Sequence, residues 1–240
     1  MVKDFFSELL FPSFCLGCQK EGTYLCHDCK ETLEISEYGY CLCNKDPIRL
    51  LIGTKKGTCN RCRDKILAGL YFALPYKEKA LTRALIYQFK YQPYLMKDLG
   101  KTLAFLIIEH LILTKNNTEA IWAGAVLVPV PLDRKKYKAR GYNQSKELAQ
   151  ELGKIIQIPV LSHVLIKISP TESQMKLSAP ERQENIRDAF SIKKPAEIAG
   201  KKVFLVDDVY TTGATMEECA RVSQDAGAKS VWGIAIAREG

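Results

Sequence analysis

The stretch from Val203 to Thr215, Val-Phe-Leu-Val-Asp-Asp-Val-Tyr-Thr-Thr-Gly-Ala-Thr, constrains the fold of this 240-residue chain more than any other. Its four leading apolar residues, two of them β-branched, predict a short strand buried on both faces of a parallel sheet. Asp207 and Asp208 follow at the carboxyl end of that strand, where open α/β sheets collect their ligands. Thr211, Thr212, Gly213 and Thr215 then lead into Met216–Arg221, a run of good helix formers. A helix start carries unpaired N–H groups and a partial positive charge, which suits a phosphate. The two carboxylates would repel that phosphate; they suit vicinal sugar hydroxyls, or a divalent cation held through oxygen. Acids beside a phosphate cradle therefore imply a ribose phosphate. The alternative is a strand, an acidic turn and a Thr N-cap with no ligand.

The length allows one ordinary α/β domain plus something smaller. The hydrophobic share of 47% and charged share of 26% are those of a soluble globular protein. With 35 basic and 27 acidic residues the net charge is +8, which suits phosphorylated metabolites or nucleic acid without choosing between them. Met1 to Pro12 contains Asp4 and Glu8 and lacks the basic start and small-residue cleavage site of an export signal. Val2, Phe5, Phe6, Leu9 and Leu10 fall at helical spacing and predict a short amphipathic helix, docked on the core by the usual role of such stripes, with a membrane surface as the alternative. The apolar run Leu103–Leu113 is interrupted by Glu109 and His110 and is too short to span a bilayer. The expectation is a cytoplasmic protein with no transmembrane segment.

Of nine cysteines, eight lie before residue 63, as Cys15-x-x-Cys18, Cys26-x-x-Cys29, Cys41-x-Cys43 and Cys59-x-x-Cys62. Close pairs of this kind supply tetrahedral zinc with two thiolates from each tight turn. Disulfides are the other reading, disfavoured in a reducing compartment, and an iron–sulfur cluster is not excluded by spacing. The expected partners are Cys15, Cys18, Cys26 and Cys29 for one zinc, and Cys41, Cys43, Cys59 and Cys62 for a second. One zinc with leftover thiols remains an alternative. Residues 1–66 have few large apolar side chains to bury and would depend on metal to fold, so the domains are expected at 1–66 and 67–240. His27, inside the second knuckle, is expected to be exposed. His110, His163 and the helical Cys219 are expected to be structural.

Along the chain, 69–74 reads as a strand, 79–90 as a helix with Leu81, Leu85 and Phe89 on one face, and 96–113 as a second helix. Arg83 and Lys90 fall on other faces and read as solvated basic surface. A buried strand is expected at 125–131, and after it a loop, 133–144, with five basic residues within seven positions. That loop could cradle a polyanion or be a plain solvated segment; its place at the carboxyl edge of the sheet favours the cradle. A helix from Gln144, a strand at 163–168 and a polar loop at 171–178 follow. Ser178 is the expected N-cap of a helix carrying Arg182 and Arg187. A helix at 213–226 and a strand at 230–237 end the pattern.

The run Leu205–Thr215 resembles the phosphoribosyl-pyrophosphate (PRPP) motif of type I phosphoribosyltransferases. The resemblance widens with the cysteine knuckles, the Val128-Pro-Val-Pro131 strand end, Arg140-Gly-Tyr-Asn-Gln144 and Gln174…Leu177-Ser178…Arg182…Asn185-x-Arg187…Phe190. Together these are similar to the ComF competence family over nearly the whole chain. The resemblance implies an α/β, Rossmann-like fold, mainly parallel sheet flanked by helices, behind a small N-terminal zinc module. It implies PRPP bound with Mg²⁺. Asp207 and Asp208 would be the catalytic pair on the ribose hydroxyls, Val209 would lie beside them, and Thr211, Thr212, Gly213, Ala214 and Thr215 would hold the 5′-phosphate. Arg134, Arg140 and Gly141 would form the pyrophosphate loop, and Gln174, Arg182 and Arg187 an active-site loop that closes over the reaction. Two departures are the single spacer in Cys41-x-Cys43 and Tyr142 in place of Phe. In an enzyme of this kind a nucleophilic nitrogen attacks C1 of the ribose as pyrophosphate leaves. The resemblance implies for some members a part in DNA uptake. A second reading is thus a PRPP-responsive module without turnover that handles single-stranded DNA beside competence-machinery proteins, with Tyr24, Tyr38 and Tyr40 available to stack on bases. The acceptor is not named by the sequence.

Overall fold

The computed structural model describes residues 12–51, 54, 57–76, 80–116, 119–169 and 186–239. In chain order these form α1 (His27–Glu31), β1 (Leu70–Pro75), α2 (Ala80–Tyr91), α3 (Met96–Leu113), α4 (Glu119–Trp122) and β2 (Ala125–Pro129). There follow α5 (Arg134–Arg140), α6 (Gln144–Ile156), β3 (Leu165–Lys167), β4 (Phe190–Ile192), β5 (Lys202–Tyr210), α7 (Ala214–Asp225) and β6 (Ser230–Arg238). The main sheet is parallel throughout, in the order β1–β6–β5–β2. Its near-continuous apolar runs are what a strand covered on both faces requires.

One face of the sheet, with Leu74, Leu127, Phe204, Val206, Ile234 and Ile236, packs under Phe89 of α2, Leu99, Leu103 and Ile107 of α3, and Leu148 and Leu152 of α6. The opposite face, with Phe72, Val128, Val203 and Leu205, packs against Met216, Cys219 and Ala220 of α7 and takes in Cys41, Leu42 and Cys62. Each large aliphatic side chain fully buried here contributes about 2 kcal/mol of transfer free energy. Both outer edges of the sheet carry short covers. Ser36 donates its N–H to Ala73 O on β1 at 2.7 Å, while Leu127 on β2 exchanges bonds with Pro159 and Leu161 at 2.9 and 2.8 Å.

Three expectations are corrected. The 133–144 segment is not a loop throughout: Arg134–Arg140 is helical, capped by Asp133, whose carboxylate accepts from Lys135 N at 2.8 Å, and ended by Gly141 at φ 80. Lys, Arg and Ala are good helix formers, and an Asp N-cap with a left-handed Gly end closes such a helix at both sides. The strand expected to stop before the acids continues through them to Tyr210, because β6 runs alongside as far as Arg238 and supplies backbone partners. The 163–168 strand shrinks to β3, which pairs antiparallel with β4 outside the main sheet. The expected N-terminal helix, Gln174 and Arg182 lie outside the described residues. Among the described residues no helix is long and apolar enough to cross a membrane.

His110 and His163 are structural. Burial pushes His110 down to about 4, and its Nδ1 donates to Ser36 O at 2.6 Å. His163 pairs with Glu197 at 3.0 Å. Cys219 is fully buried in α7, as expected.

Candidate functional site

The two carboxylates at the end of β5 have separate surroundings. Asp207 Oδ1 accepts from Ser145 Oγ and from the Asp208 N–H, both at 2.9 Å. Asp208, only 5% exposed, accepts from Gln144 Nε2 at 2.7 Å and pairs with Lys90 Nζ at 2.9 Å. Burial, and then the neighbouring Asp208 charge, push the Asp207 carboxyl up to about 7. Burial works against the Lys90 ammonium, but the Asp208 charge and hydrogen bond, with Asp207, hold it above its ordinary value and therefore charged. The one ammonium is paired with Asp208 and reaches Asp207 only through its charge, and a second positive charge or a set of hydroxyl donors would settle the two acids.

Lys90 was read from sequence as solvated surface; it belongs to the site. The signal was present in the spacing. Thr82 and Ile86 are buried, and Lys90 continues that row at four-residue intervals. Gln144 and Ser145 were missed as site residues because they read simply as the first turn of a helix. Asn143 caps that turn through Ser145 N at 3.0 Å and donates to Val130 O at 3.0 Å, which aims α6 at the acids. The Tyr142 hydroxyl, buried, donates to Phe89 O at the end of α2.

Of the basic residues expected to hold pyrophosphate, Arg140 is joined to the acids. Its Nη1 donates to Gln144 Oε1 at 2.9 Å, and Gln144 in turn donates to Asp208. The guanidinium lies 4.8 Å from the Tyr91 ring centre. Arg134 is exposed on the first turn of α5 and Gly141 ends that helix. Arg187 is exposed, and its charge acts on Glu218 of α7.

The turn from β5 into α7 carries the expected phosphate residues. Val209, Thr211, Thr212, Ala214 and Thr215 are half-buried and Gly213 is buried. Gly213 has φ 78, and a Cβ there would collide with the Tyr210 hydroxyl. Ala214 N–H reaches Thr212 Oγ1 at 3.4 Å. The cysteine-rich segment grips this turn from outside. Asn44 Nδ2 donates to Thr212 O at 2.9 Å, and Ile66 N donates to Glu217 Oε1 at 2.6 Å. Arg238 Nη1 donates to Cys41 O at 2.8 Å and Nη2 to Cys43 O.

The cysteines form the two expected groups, Cys15, Cys18, Cys26, Cys29 and Cys41, Cys43, Cys59, Cys62, with the sulfurs of each group within 4.8 Å of one another. The single spacer of Cys41-x-Cys43 does not prevent the second group from closing. Backbone N–H groups point at sulfur: Cys26 N to Cys15 Sγ at 3.4 Å, Ile48 N to Cys41 Sγ at 3.1 Å, Cys59 N to Cys62 Sγ at 3.2 Å. Sulfurs at 3.5 Å (Cys18–Cys26) and 3.6 Å (Cys43–Cys59) are not disulfide-bonded. Hydrogen bonding to Cys15 and Cys18 pushes Cys29 up to about 12, and burial with Cys59 does the same to Cys43. Four thiolates cannot ionise together without a cation, and a tetrahedral dication such as zinc fits each group. His27 stands outside the first group, exposed and 3.8 Å from Glu31.

The tyrosines considered for base stacking are engaged. Tyr24 packs on the helical face of the core, Tyr40 lies 6.0 Å from the Phe72 ring, and Arg49 sits 3.0 Å over the Tyr38 ring.

Residues 105–239 match the family model of the phosphoribosyl transferase domain. Competence protein F of Haemophilus influenzae is 35% identical over 156 residues, 64% of this chain and 67% of that protein. DNA utilization protein YhgH of Salmonella typhi is 27% identical over 217 residues, 86% of this chain and 93% of that protein. Among solved structures, a glutamine PRPP amidotransferase from B. subtilis complexed with ADP and GMP aligns with TM-score 0.37 and 20% identity. That alignment covers 62% of this chain and 30% of the amidotransferase.

Proposed function

This chain belongs to the phosphoribosyl transferase domain family, in its competence protein F group, and on that premise we propose that it binds PRPP with Mg²⁺. The observation that carries the reading is the Asp207–Asp208 pair at the carboxyl edge of β5, with one close ammonium and the α7 start beside it. Asp207 and Asp208 hold the ribose hydroxyls. Residues 211–215 hold the 5′-phosphate on the N–H groups of the α7 start, where the helix charge favours an anion. Arg134, Arg140 and Gly141 take the pyrophosphate, and Mg²⁺ bound with PRPP would add positive charge there. Gln174, Arg182 and Arg187 belong to the loop that closes over the reactants. Residues 1–66 form a zinc module and 67–240 the transferase domain; cysteines held as zinc thiolates suit a reducing cytoplasm.

The reaction is transfer of ribose 5-phosphate to a nitrogen acceptor. The bond to nitrogen forms at C1 as the C1–oxygen bond to pyrophosphate breaks, and the electron pair leaves with pyrophosphate. The chain's share is positioning and charge: Arg140 on the leaving group, the acid pair on the ribose. Calorimetry with PRPP and Mg²⁺ tests the binding. Wild-type protein should bind and Asp208→Asn should bind at least tenfold more weakly; equal affinities sink the assignment. Pyrophosphate release with pools of nucleobases and amines then tests the transfer.

A second reading, a single-stranded-DNA-handling protein responsive to PRPP, is favoured by the exposed basic run of α5 beside the site. On that reading, affinity for a single strand falls steeply with salt, and binding that ignores salt argues against it.

A further inference from the structure

Three consecutive residues at the end of α2, Phe89, Lys90 and Tyr91, each reach a different part of the site. Lys90 Nζ pairs with Asp208 Oδ1 at 2.9 Å. The Phe89 carbonyl accepts from the Tyr142 hydroxyl, in the link between α5 and α6. The Tyr91 hydroxyl accepts from Arg140 Nη2 at 3.4 Å, and the guanidinium lies 4.8 Å from the Tyr91 ring centre.

Two of these contacts close into a ring. Asp208 Oδ2 accepts from Gln144 Nε2 at 2.7 Å, and Gln144 Oε1 accepts from Arg140 Nη1 at 2.9 Å. The circuit runs from Lys90 to Asp208, Gln144, Arg140 and Tyr91, and returns to Lys90 through the backbone. Each oxygen of Asp208 has its own donor, so the plane of the carboxylate is fixed from two sides. The Gln144 amide gives its nitrogen to the acid and its oxygen to the arginine, which uses its donor and its acceptor in one orientation.

The turn that carries the ring is itself anchored. Phe89 is fully buried, and a Cβ on Gly100 of α3 would lie 3.4 Å from its ring. Tyr87, one helical turn earlier, braces Tyr91 with ring centres 4.8 Å apart. Tyr91 is 49% exposed, and the Arg140 side chain held over it loses rotamer freedom before any ligand arrives.

We propose that the last turn of α2 is the positioning element of the PRPP site, with Lys90 setting Asp208 for the ribose and Tyr91 setting Arg140 for the pyrophosphate. The proposal rests on the reading of Asp207–Thr215 as the PRPP site and names two residues that act on it through others. The C1–oxygen bond that breaks joins the ribose to the pyrophosphate. The groups that hold its two sides must therefore keep a fixed separation, since a small misplacement is costly to transfer. Adjacent residues on one anchored helical turn supply that separation. They also order the acid and the arginine in advance, which spares the ligand that cost on binding.

Four variants of the whole chain test this. Lys90→Met keeps the aliphatic stem and removes the charge, whereas Lys90→Arg keeps a charge. Tyr91→Leu removes the ring, whereas Tyr91→Phe keeps it. Each is titrated with PRPP and Mg²⁺ by calorimetry, at a temperature where circular dichroism shows it folded. Lys90→Met and Tyr91→Leu should each bind PRPP about tenfold more weakly or worse than wild type. Lys90→Arg and Tyr91→Phe should each bind it about threefold more tightly than the paired variant, or better. A packing role for Lys90 gives the reverse order, because Met fits the space of the stem better than Arg does. Wild-type protein that binds PRPP no better than Lys90→Met and Tyr91→Leu overturns the positioning role alone. Equal losses in Lys90→Met and Lys90→Arg also overturn it, since the charge is then not what Lys90 contributes. If Lys90→Met does not fold, the exposed Tyr91 carries the test: Tyr91→Leu with wild-type affinity overturns the proposal. Wild-type protein that takes no PRPP overturns the PRPP reading, and the positioning role with it.

Discussion

Lys90 and Asp208 form a pair with side-chain exposures of 20% and 8%, and the Lys90 charge also acts on Asp207. Removing one partner of such a pair leaves an uncompensated buried charge. Lys90→Met should destabilise the fold by about 3 kcal/mol, the lower end of the usual range, because Gln144 still donates to Asp208. Urea denaturation at neutral pH measures this. Asp207 acts in the opposite sense. Its folded carboxyl holds a proton up to about pH 7, against an ordinary value of 3.8. The folded state therefore binds more protons than the unfolded state between those values, and this residue's contribution makes stability fall as pH rises through that window. Asp207→Asn should remove that slope and raise the neutral-pH melting temperature by about 2 °C or more, read from melting curves between pH 4 and 8. Both acids were legible in the sequence because they follow an apolar strand directly. The spacing puts Lys90 on the buried row of α2, but its partner was not legible, because the acids lie more than a hundred residues away.

At the scale of elements, β5, its turn and α7 were legible because one continuous stretch builds them. Buried strand, acids, small residues and helix formers each follow from local chemistry. The turn depends on Gly213, whose positive φ and contact with Tyr210 leave no room for a side chain. Gly213→Ala should cost at least about 1–2 kcal/mol for the left-handed backbone, and more for the collision. It should also lower PRPP affinity, since the N–H groups of the α7 start would be re-aimed; denaturation and calorimetry on the same sample separate the two effects. Helix α5 was misread because five charges suggested a loop, although Asp133 and Gly141 mark its two ends. The 163–168 segment was misread for another reason. A short apolar run does not reveal which sheet it joins, and β3 found β4.

For the whole molecule, the cysteine groups were legible because each pair is local, whereas the sheet order β1–β6–β5–β2 rests on long crossovers that no local pattern states. We expect two zinc ions per chain by elemental analysis, and one when Cys59→Ser and Cys62→Ser are combined. That variant should also bind PRPP more weakly, because Asn44 and Arg238 connect the second cysteine group with the turn from β5 into α7 and the end of β6. Ser36 lies between the two groups in sequence, and its N–H covers the open side of β1 at Ala73. Stripping both metals would release that cover from either end. The strand beneath, Leu-Tyr-Phe-Ala-Leu-Pro, would then offer unpaired backbone groups and apolar side chains to another copy. The damage from chelation should therefore appear first as aggregation. Light scattering should grow with protein concentration before helix content falls, and returning zinc should not dissolve the particles.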